Sequence, residues 1–349
     1  MALTRCNLCG GRTFTRSAPV TSIEREIRLR DEFVHSRLGR KASRSELKDL
    51  TDFMHGFPSP LVACSGCGIL TRSERRVREA HSYEEDPNDP DLMAHVYPRY
   101  LTAFRNKKPA FAPMLRPHAS VLELGSHLGA FLQAAEEWNW RAVGLDVGKD
   151  TSAFVASRGL EVQRAIVEDC EFSGNRFDAV FVWNCFEQLP DPIPTLLAIH
   201  RQLKRFGLLV IRVPNALFYT VLSHSLAGAA EDGFVMRALA YNNLLGFPYL
   251  YGYTAHSLNR LLARCGYEPV RAFNSELVTM PFADVSQRIF AEQTGISDAV
   301  AAWSSTTTLE CGTLTGPWIE LVYRKLEEPV HPAQLPRRKI DLRFLERAS

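Results

Sequence analysis

Two sets of residues in this sequence have the types and spacing to do chemistry. The first is Cys6, Cys9, Cys64 and Cys67, in RCNLCGG and VACSGCG, two CxxC pairs each followed by glycine. Four thiolates brought together complete the tetrahedral shell of a zinc ion, the closed coordination of a structural site that leaves no position for a substrate. In a reducing compartment, metal binding is the better reading of such pairs than disulfides. The second set lies in VLELGSHLGAFL, Val121 to Leu132, where an apolar run ends in Glu123 and turns through Gly125 and Gly129 into an amphipathic stretch. Glycine lets the backbone approach a ligand closely, and the helix start that follows offers free amides. About twenty residues beyond Gly125, RAVGLD ends in Asp146, at the place from which doubly wound nucleotide folds hold ribose hydroxyls.

The elements that must position these residues are legible from periodicity. Short apolar runs (SVLELG, RAVGLD, DAVFVWN, LLVIRVPN) alternate with amphipathic ones (AFLQAAEEW, TSAFVASRG, PTLLAIHRQLK). That alternation predicts an α/β fold, a Rossmann-like doubly wound, mostly parallel sheet with helices on both faces. Residues 1–80 read as a small zinc-binding module whose knuckles are separated by a helical hairpin, with Thr21/Glu24 and Ser43/Glu46 spaced as capping boxes. Residues 81–115 read as linker and lid helices, in which the Asp- and Pro-rich EEDPNDPDLMAHVYP precedes a helix expected over Arg99 to Pro109.

Residues 116–326 form the α/β domain, interrupted at about 216–252 by an aromatic-rich insertion expected to be a helical cap. Pattern resumes in TAHSLNRLLARCGYEPV, a helix capped by Thr254 and ended by Gly266, followed by strands near Val270 and at WIELVYRK. Residues 327–349 are a proline-containing tail, loosely attached. Cys170, Cys185, Cys265 and Cys311 stand singly among apolar neighbours and are expected to be buried free thiols.

Composition narrows the class of protein. A chain of 349 residues with 46% hydrophobic and 23% charged content and a net charge of +2 fits a soluble globular protein. No apolar run reaches the ~18–20 residues of a membrane span, and the N-terminus has no signal-peptide core, so a cytoplasmic location and no membrane partner are expected. Lys and Arg outnumber Asp and Glu in the first 80 residues, which would suit an acidic partner such as nucleic acid. Their alternation in sign, as in SIEREIRLRDEF, equally describes a solvated helix face.

The spacing Glu-x-Gly-x-x-x-Gly departs from the GxGxxG that receives a dinucleotide pyrophosphate, so a phosphate-free adenosyl ligand fits better. Here the sequence resembles class I S-adenosylmethionine-dependent methyltransferases, whose first motif reads acidic-x-Gly-x-Gly-x-Gly. His127 replaces the middle glycine, as in the branch with Gly-Ser-x-x-Gly turns that includes zinc-containing sugar C-methyltransferases. The likeness continues in order from about Val121 to Lys325 and implies a seven-stranded sheet. It implies that Glu123 faces the methionine end of the cofactor and that the turn residues Gly125, Ser126 and Gly129 cradle it. Asp146 and Val147 would take the ribose side, Glu168 and Asp169 the adenine side, and Asn184 the methionine moiety, with Glu187 beside the methyl group. The histidine that usually follows this glutamate is Gln188 here, which cannot accept a proton at working pH.

Candidate catalytic residues are therefore Glu187, His256 and Tyr253, with Tyr249 and His127 as further options. The bland readings are packing for the tyrosines of PYLYGY, a first-turn surface position for His256 and a solvent-facing turn for His127. The resemblance implies a methyltransferase that uses S-adenosylmethionine and a structural zinc. Its acceptor is expected to be small or medium-sized: a sugar, a glycan precursor or a secondary metabolite, methylated on oxygen or carbon. The alternatives are an RNA or protein methyltransferase docking through the basic zinc module, and a non-catalytic methyltransferase-like scaffold.

Overall fold

The computed structural model describes residues 3–6, 8–18, 60–73, 90–170, 172, 176–218, 250–275 and 318–326. The helical hairpin between the knuckles, nearly all of the expected cap, Tyr249, Cys311 and the tail lie outside the described residues.

The N-terminal part contributes three short strands, β1 (Phe14–Ala18), β2 (Leu61–Cys64) and β3 (Leu70–Arg72), paired antiparallel in that order. Helix α1 (Pro90–Arg105) follows, then the short helix α2 (Lys108–Phe111). α1 corrects the expectation of a linker through Pro98: the helix begins at Pro90 and carries Pro98 inside it. Met93, Tyr97 and Leu101, four residues apart, are all buried. Three such side chains supply about 1.5–3 kcal/mol each, which outweighs the ~3 kcal/mol that an internal proline costs.

The α/β part then runs β4 (Ser120–Leu124), α3 (Ala130–Glu137), β5 (Arg141–Asp146), α4 (Lys149–Ser157), β6 (Val162–Arg164), β7 (Phe177–Trp183), α5 (Pro192–Gln202) and β8 (Leu203–Pro214). It ends with the two-residue strand β9 (Tyr251–Gly252), α6 (Ala255–Arg264), β10 (Tyr267–Ser275) and β11 (Trp318–Lys325). Seven strands form one sheet in the order β10-β11-β8-β7-β4-β5-β6. The pairs among β4, β5, β6, β7 and β8 are parallel, and β10 and β11 add an antiparallel edge. β7 and β8 read as nearly unbroken apolar runs because both faces of a parallel sheet are covered. α6 starts where the sequence places it, with a reciprocal capping pair between Thr254 and Ser257, and Gly266 closes it at φ 85°.

One face of the sheet packs on α1 and α3 through an aromatic cluster. Phe131 lies fully buried at its centre, 4.5 Å from Phe181 and 5.5–6.0 Å from Phe104, Trp138 and Trp183. The opposite face shares a single buried cluster with the N-terminal part, joining Cys64, Cys67 and Ile69 to Val182, Ile211 and Tyr253. Strand β9 pairs with β3, Leu70 opposite Gly252 and Thr71 opposite Tyr251, so the small sheet runs β1-β2-β3-β9 and takes its last strand from beyond residue 250. Cys265 is buried and its thiol pushed up to about 11 by that burial, while Cys170 and Cys185 are half-buried. Among the described residues no helix is long and apolar enough to cross a membrane.

Removing the ring at the centre of the aromatic face tests this packing. Phe131→Ala is expected to lower unfolding free energy by about 3–5 kcal/mol in urea melts; a loss below about 1 kcal/mol would contradict the assigned core.

Candidate active site and four-cysteine cluster

The carboxyl ends of β4, β5 and β7 meet at one edge of the sheet. The turn after β4 is pulled across the end of β5, because the amides of Gly125 and Ser126 both donate to the carbonyl of Leu145, at 2.8 and 3.0 Å. Gly125 takes φ 68°, and a Cβ there would meet the Cys185 sulfur at 2.9 Å, so both the left-handed backbone and the close approach require glycine. Gly129, also left-handed at φ 70°, opens α3. Cys185 donates its thiol to the Leu124 carbonyl at 3.3 Å and so ties the end of β7 to the end of β4.

In the β4/β5 register Glu123 stands opposite Gly144, which places Glu123 and Asp146 on the same face of the sheet. Asp146 accepts from the amide of His127 at 2.7 Å, the amide of Gly148 at 2.8 Å and the hydroxyl of Thr151 at 2.9 Å. Glu123 is buried, and its Oε2 has no hydrogen-bond partner. Burial, and then the charge of Asp146, push its carboxyl well above the usual range. The hydroxyl of Ser126 is likewise buried without a partner.

β7 ends in Asn184 at φ 56°, and the chain turns through Phe186–Gln188. Gln188 donates its side-chain amide to the Asn184 carbonyl at 2.9 Å and closes that turn. This gives the residue that stands in place of a histidine a structural role. Glu187 is fully buried, neither carboxylate oxygen has a hydrogen-bond partner, and desolvation pushes its carboxyl up to about 8. The guanidinium of Arg212 opposes that shift.

Arg212 escaped the sequence reading, although a lone cation in the apolar run LLVIRVP signals a buried partner. It donates to Asn184 Oδ1 and to Ser275 at 2.9 Å, lies 3.6 Å from Glu320, and stacks 4.1 Å over Trp318. Lys107 completes the row with an ion pair to Glu320.

The remaining expected site residues are placed as follows. Val147 is half-buried just past β5, and His127 is exposed in the turn at φ 46°. Glu168 accepts from Thr195 of α5, and Asp169 is exposed. Tyr253 is buried with its ring 5.4 Å from Phe186, and His256 is exposed on the first turn of α6.

Cys6, Cys9, Cys64 and Cys67 converge, with all four sulfurs within 4.8 Å of one another. The Cys6–Cys67 and Cys9–Cys64 sulfurs are 3.8 and 3.5 Å apart. A tetrahedron with metal–sulfur arms of about 2.3 Å has edges of about 3.8 Å, so the cluster has the dimensions of a four-thiolate site. Gly10 and Gly68, each just past its CxxC, take φ 74° and 73° and let the two knuckles fold back.

The proton bound by Glu187 has a consequence for stability. Its carboxyl is raised in the folded protein, so its contribution is fully present below the unfolded pKa near 4.5 and is lost as pH rises through about 8. In urea melts between pH 5 and 8, Glu187→Gln should therefore gain stability relative to wild type as pH rises. A difference that stays constant across the series would show that the carboxyl is ordinary.

The family described as "Methyltransferase domain" matches residues 93–272, more than half of the chain. Several solved structures are similar. A SAM-dependent methyltransferase from Archaeoglobus fulgidus is 15% identical, over 68% of this chain and 100% of that one, with a TM-score of 0.45. An S-adenosylmethionine-dependent methyltransferase from Mesorhizobium loti is 14% identical, over 63% and 97%, with a TM-score of 0.41. A chain from the complex between the Haloferax volcanii Trm112 methyltransferase activator and a methyltransferase is 15% identical, over 73% and 100%, with a TM-score of 0.44. No curated protein matches the sequence. With its parallel sheet, its glycine turn and more than half of its length covered, the chain belongs to the methyltransferase-domain family and is a SAM-dependent methyltransferase.

Proposed function

We propose that the protein methylates a small acceptor at Glu187, with S-adenosylmethionine in the crevice between Gly125 and Asp146 and a structural zinc in the four-cysteine cluster. The observation that carries the reading is the acidic lining of the crevice. Glu123, Asp146 and Glu187 all bear on Cys185 from around it, and both oxygens of Glu187 and Oε2 of Glu123 are buried without a hydrogen-bond partner. Such a site repels a pyrophosphate and favours a ligand that brings positive charge. A sulfonium cofactor with an α-ammonium group fits that requirement, and when bound it supplies an electrophilic methyl group.

The roles follow from position. Asp146 holds ribose hydroxyls, with Val147 beside it, while Glu123, Ser126 and Asn184 face the methionine end and Gly125 and Gly129 give the backbone its close approach. Glu168 and Asp169 lie toward the adenine. Glu187 is the general base: in the free site it keeps its proton, and a neighbouring cation favours its ionised form, which then accepts the proton of an acceptor hydroxyl or carbon acid. Tyr253, packed against Phe186, and His256, at the start of α6, are the other groups from which proton transfer can come. Complete burial of Glu187 favours a slender acceptor such as a sugar or secondary metabolite over a bulky macromolecule.

Isothermal titration of the purified chain with S-adenosylmethionine tests both the ligand and the acids. Binding at pH 7 should release protons, seen as a dependence of the heat on buffer ionisation enthalpy, and Glu187→Gln should reduce that release. Asp146→Asn should weaken binding about tenfold or more, the effect of losing a charge-assisted hydrogen bond. Absence of binding, or binding with no proton release, would overturn the assignment. Elemental analysis of the same preparation should find one zinc per chain.

A further inference from the structure

The four-cysteine module meets the α/β part through a run of hydrogen bonds, backbone except at the Thr71 hydroxyl, that ends at Glu187. In the second knuckle, Gly68 donates to the Cys64 carbonyl at 2.8 Å and Cys64 to the Ile69 carbonyl at 2.9 Å, which delivers the chain directly into β3. β3 pairs with β9, and the Thr71 hydroxyl donates to the Leu250 carbonyl at 3.0 Å. Leu250 in turn donates its amide to the Glu187 carbonyl at 3.0 Å. One residue on, Tyr251 reaches the far side of the same turn, its hydroxyl bonded to the Pro190 carbonyl at 3.0 Å. Tyr253 ties the end of this segment to β8, accepting from the amide of Ala216 at 2.9 Å.

Two further observations show that this contact is built rather than incidental. A Cβ at Gly252 would meet Leu70 Cβ at 3.2 Å, so the two strands lie closer than a side chain at 252 comfortably allows. Arg264 of α6 donates to the Leu8 carbonyl within the first knuckle, so both knuckles are anchored on the α/β part. The cofactor turn is held differently. Gly125 and Ser126 bond to Leu145, and the contacts of Asp146 go to His127, Gly148 and Thr151, all outside the module.

We propose that the four-cysteine module is the positioning element for Glu187, acting through β9, so that filling the sulfur cluster sets the catalytic loop while leaving the cofactor turn unaffected. This rests on the reading of Glu187 as the base and of the cluster as a metal site. The turn is closed from within by Gln188, on the Asn184 and Cys185 carbonyls, but the carbonyl of Glu187 itself accepts from outside the turn. Its outer anchor is the backbone of Leu250, and Leu250 is held in turn by the Thr71 hydroxyl of β3. Emptying the cluster frees the knuckles, and β3 is the first strand to feel that release. The module thus acts on proton acceptance, and its metal is part of catalysis without touching substrate.

Hydrogen–deuterium exchange on the full chain tests the proposal, with S-adenosylhomocysteine as the probe of the cofactor site. Removal of the metal by a chelator should raise exchange in peptides spanning 184–190 and 250–253, leave 121–132 protected, and change the probe's affinity less than about threefold. Thr71→Val keeps all four cysteines and removes the hydroxyl bond to Leu250. It should raise exchange at the Leu250 amide about fivefold, as for one lost hydrogen bond, with zinc content unchanged. Unchanged protection of 184–190 and 250–253 in the Thr71→Val chain would overturn the coupling, whatever chelation does. A preparation that contains no metal would overturn control by filling of the cluster together with the zinc assignment, and the Thr71→Val arm would still read the coupling from β3 to the Glu187 turn. Loss of probe binding in wild type would remove the cofactor assignment and leave the coupling to be read from exchange.

Discussion

The carbonyl of Leu145, at the end of β5, accepts from two successive amides, Gly125 and Ser126, and much of the site's geometry descends from that one acceptor. It drags the turn after β4 sideways over the neighbouring strand, which a residue with a Cβ could follow only with left-handed strain and a collision with Cys185. Once the turn lies there, Asp146 can bond the His127 amide and Glu123 comes under the influence of the Asp146 charge. Crossing the gap between two parallel strands at their carboxyl ends is the constraint, and the crevice is its result.

Charge is distributed across this edge in an unusual way. Glu187 is a buried acid with no hydrogen-bond partner and Glu123 lacks one at Oε2, while the cations Lys107 and Arg212 are tied to Glu320, Ser275 and Asn184. A buried carboxylate without a partner is costly to ionise, and burial accordingly raises both Glu123 and Glu187. The row from Lys107 to Asn184 also explains why the antiparallel edge matters to a site formed by the parallel strands. Ser275 and Glu320 belong to β10 and β11, and they hold the arginine that holds Asn184.

The N-terminal module is energetically one with the α/β part. Its cysteines lie in the same buried cluster as β7, β8 and α6, and its sheet is completed by β9. A strand borrowed across so long a stretch of chain makes the small sheet and the loop at Glu187 mutually dependent. Leu250 to Tyr253 touch both, pairing with β3 on one side and bonding the Glu187 carbonyl on the other.

What the sequence by itself determined was whatever depends on local periodicity and local stereochemistry. The alternation of apolar and amphipathic runs announced the parallel sheet, the glycines at 125 and 129 announced the turn, and Thr254 and Gly266 marked the ends of α6. The CxxC pairs foretold a cluster because two knuckles of that form have little else to do. Tertiary structure alone decided which distant groups meet. Pro98 sits inside a helix because packing of Met93, Tyr97 and Leu101 overrides a local breaker. Glu187 is raised because of what surrounds it rather than because of its neighbours in the chain, and β9 joins β3 through backbone hydrogen bonds that carry no side-chain signature. Spacing along a chain reports local conformation, whereas burial and pairing are properties of three-dimensional neighbours, and these set the environment of Glu187.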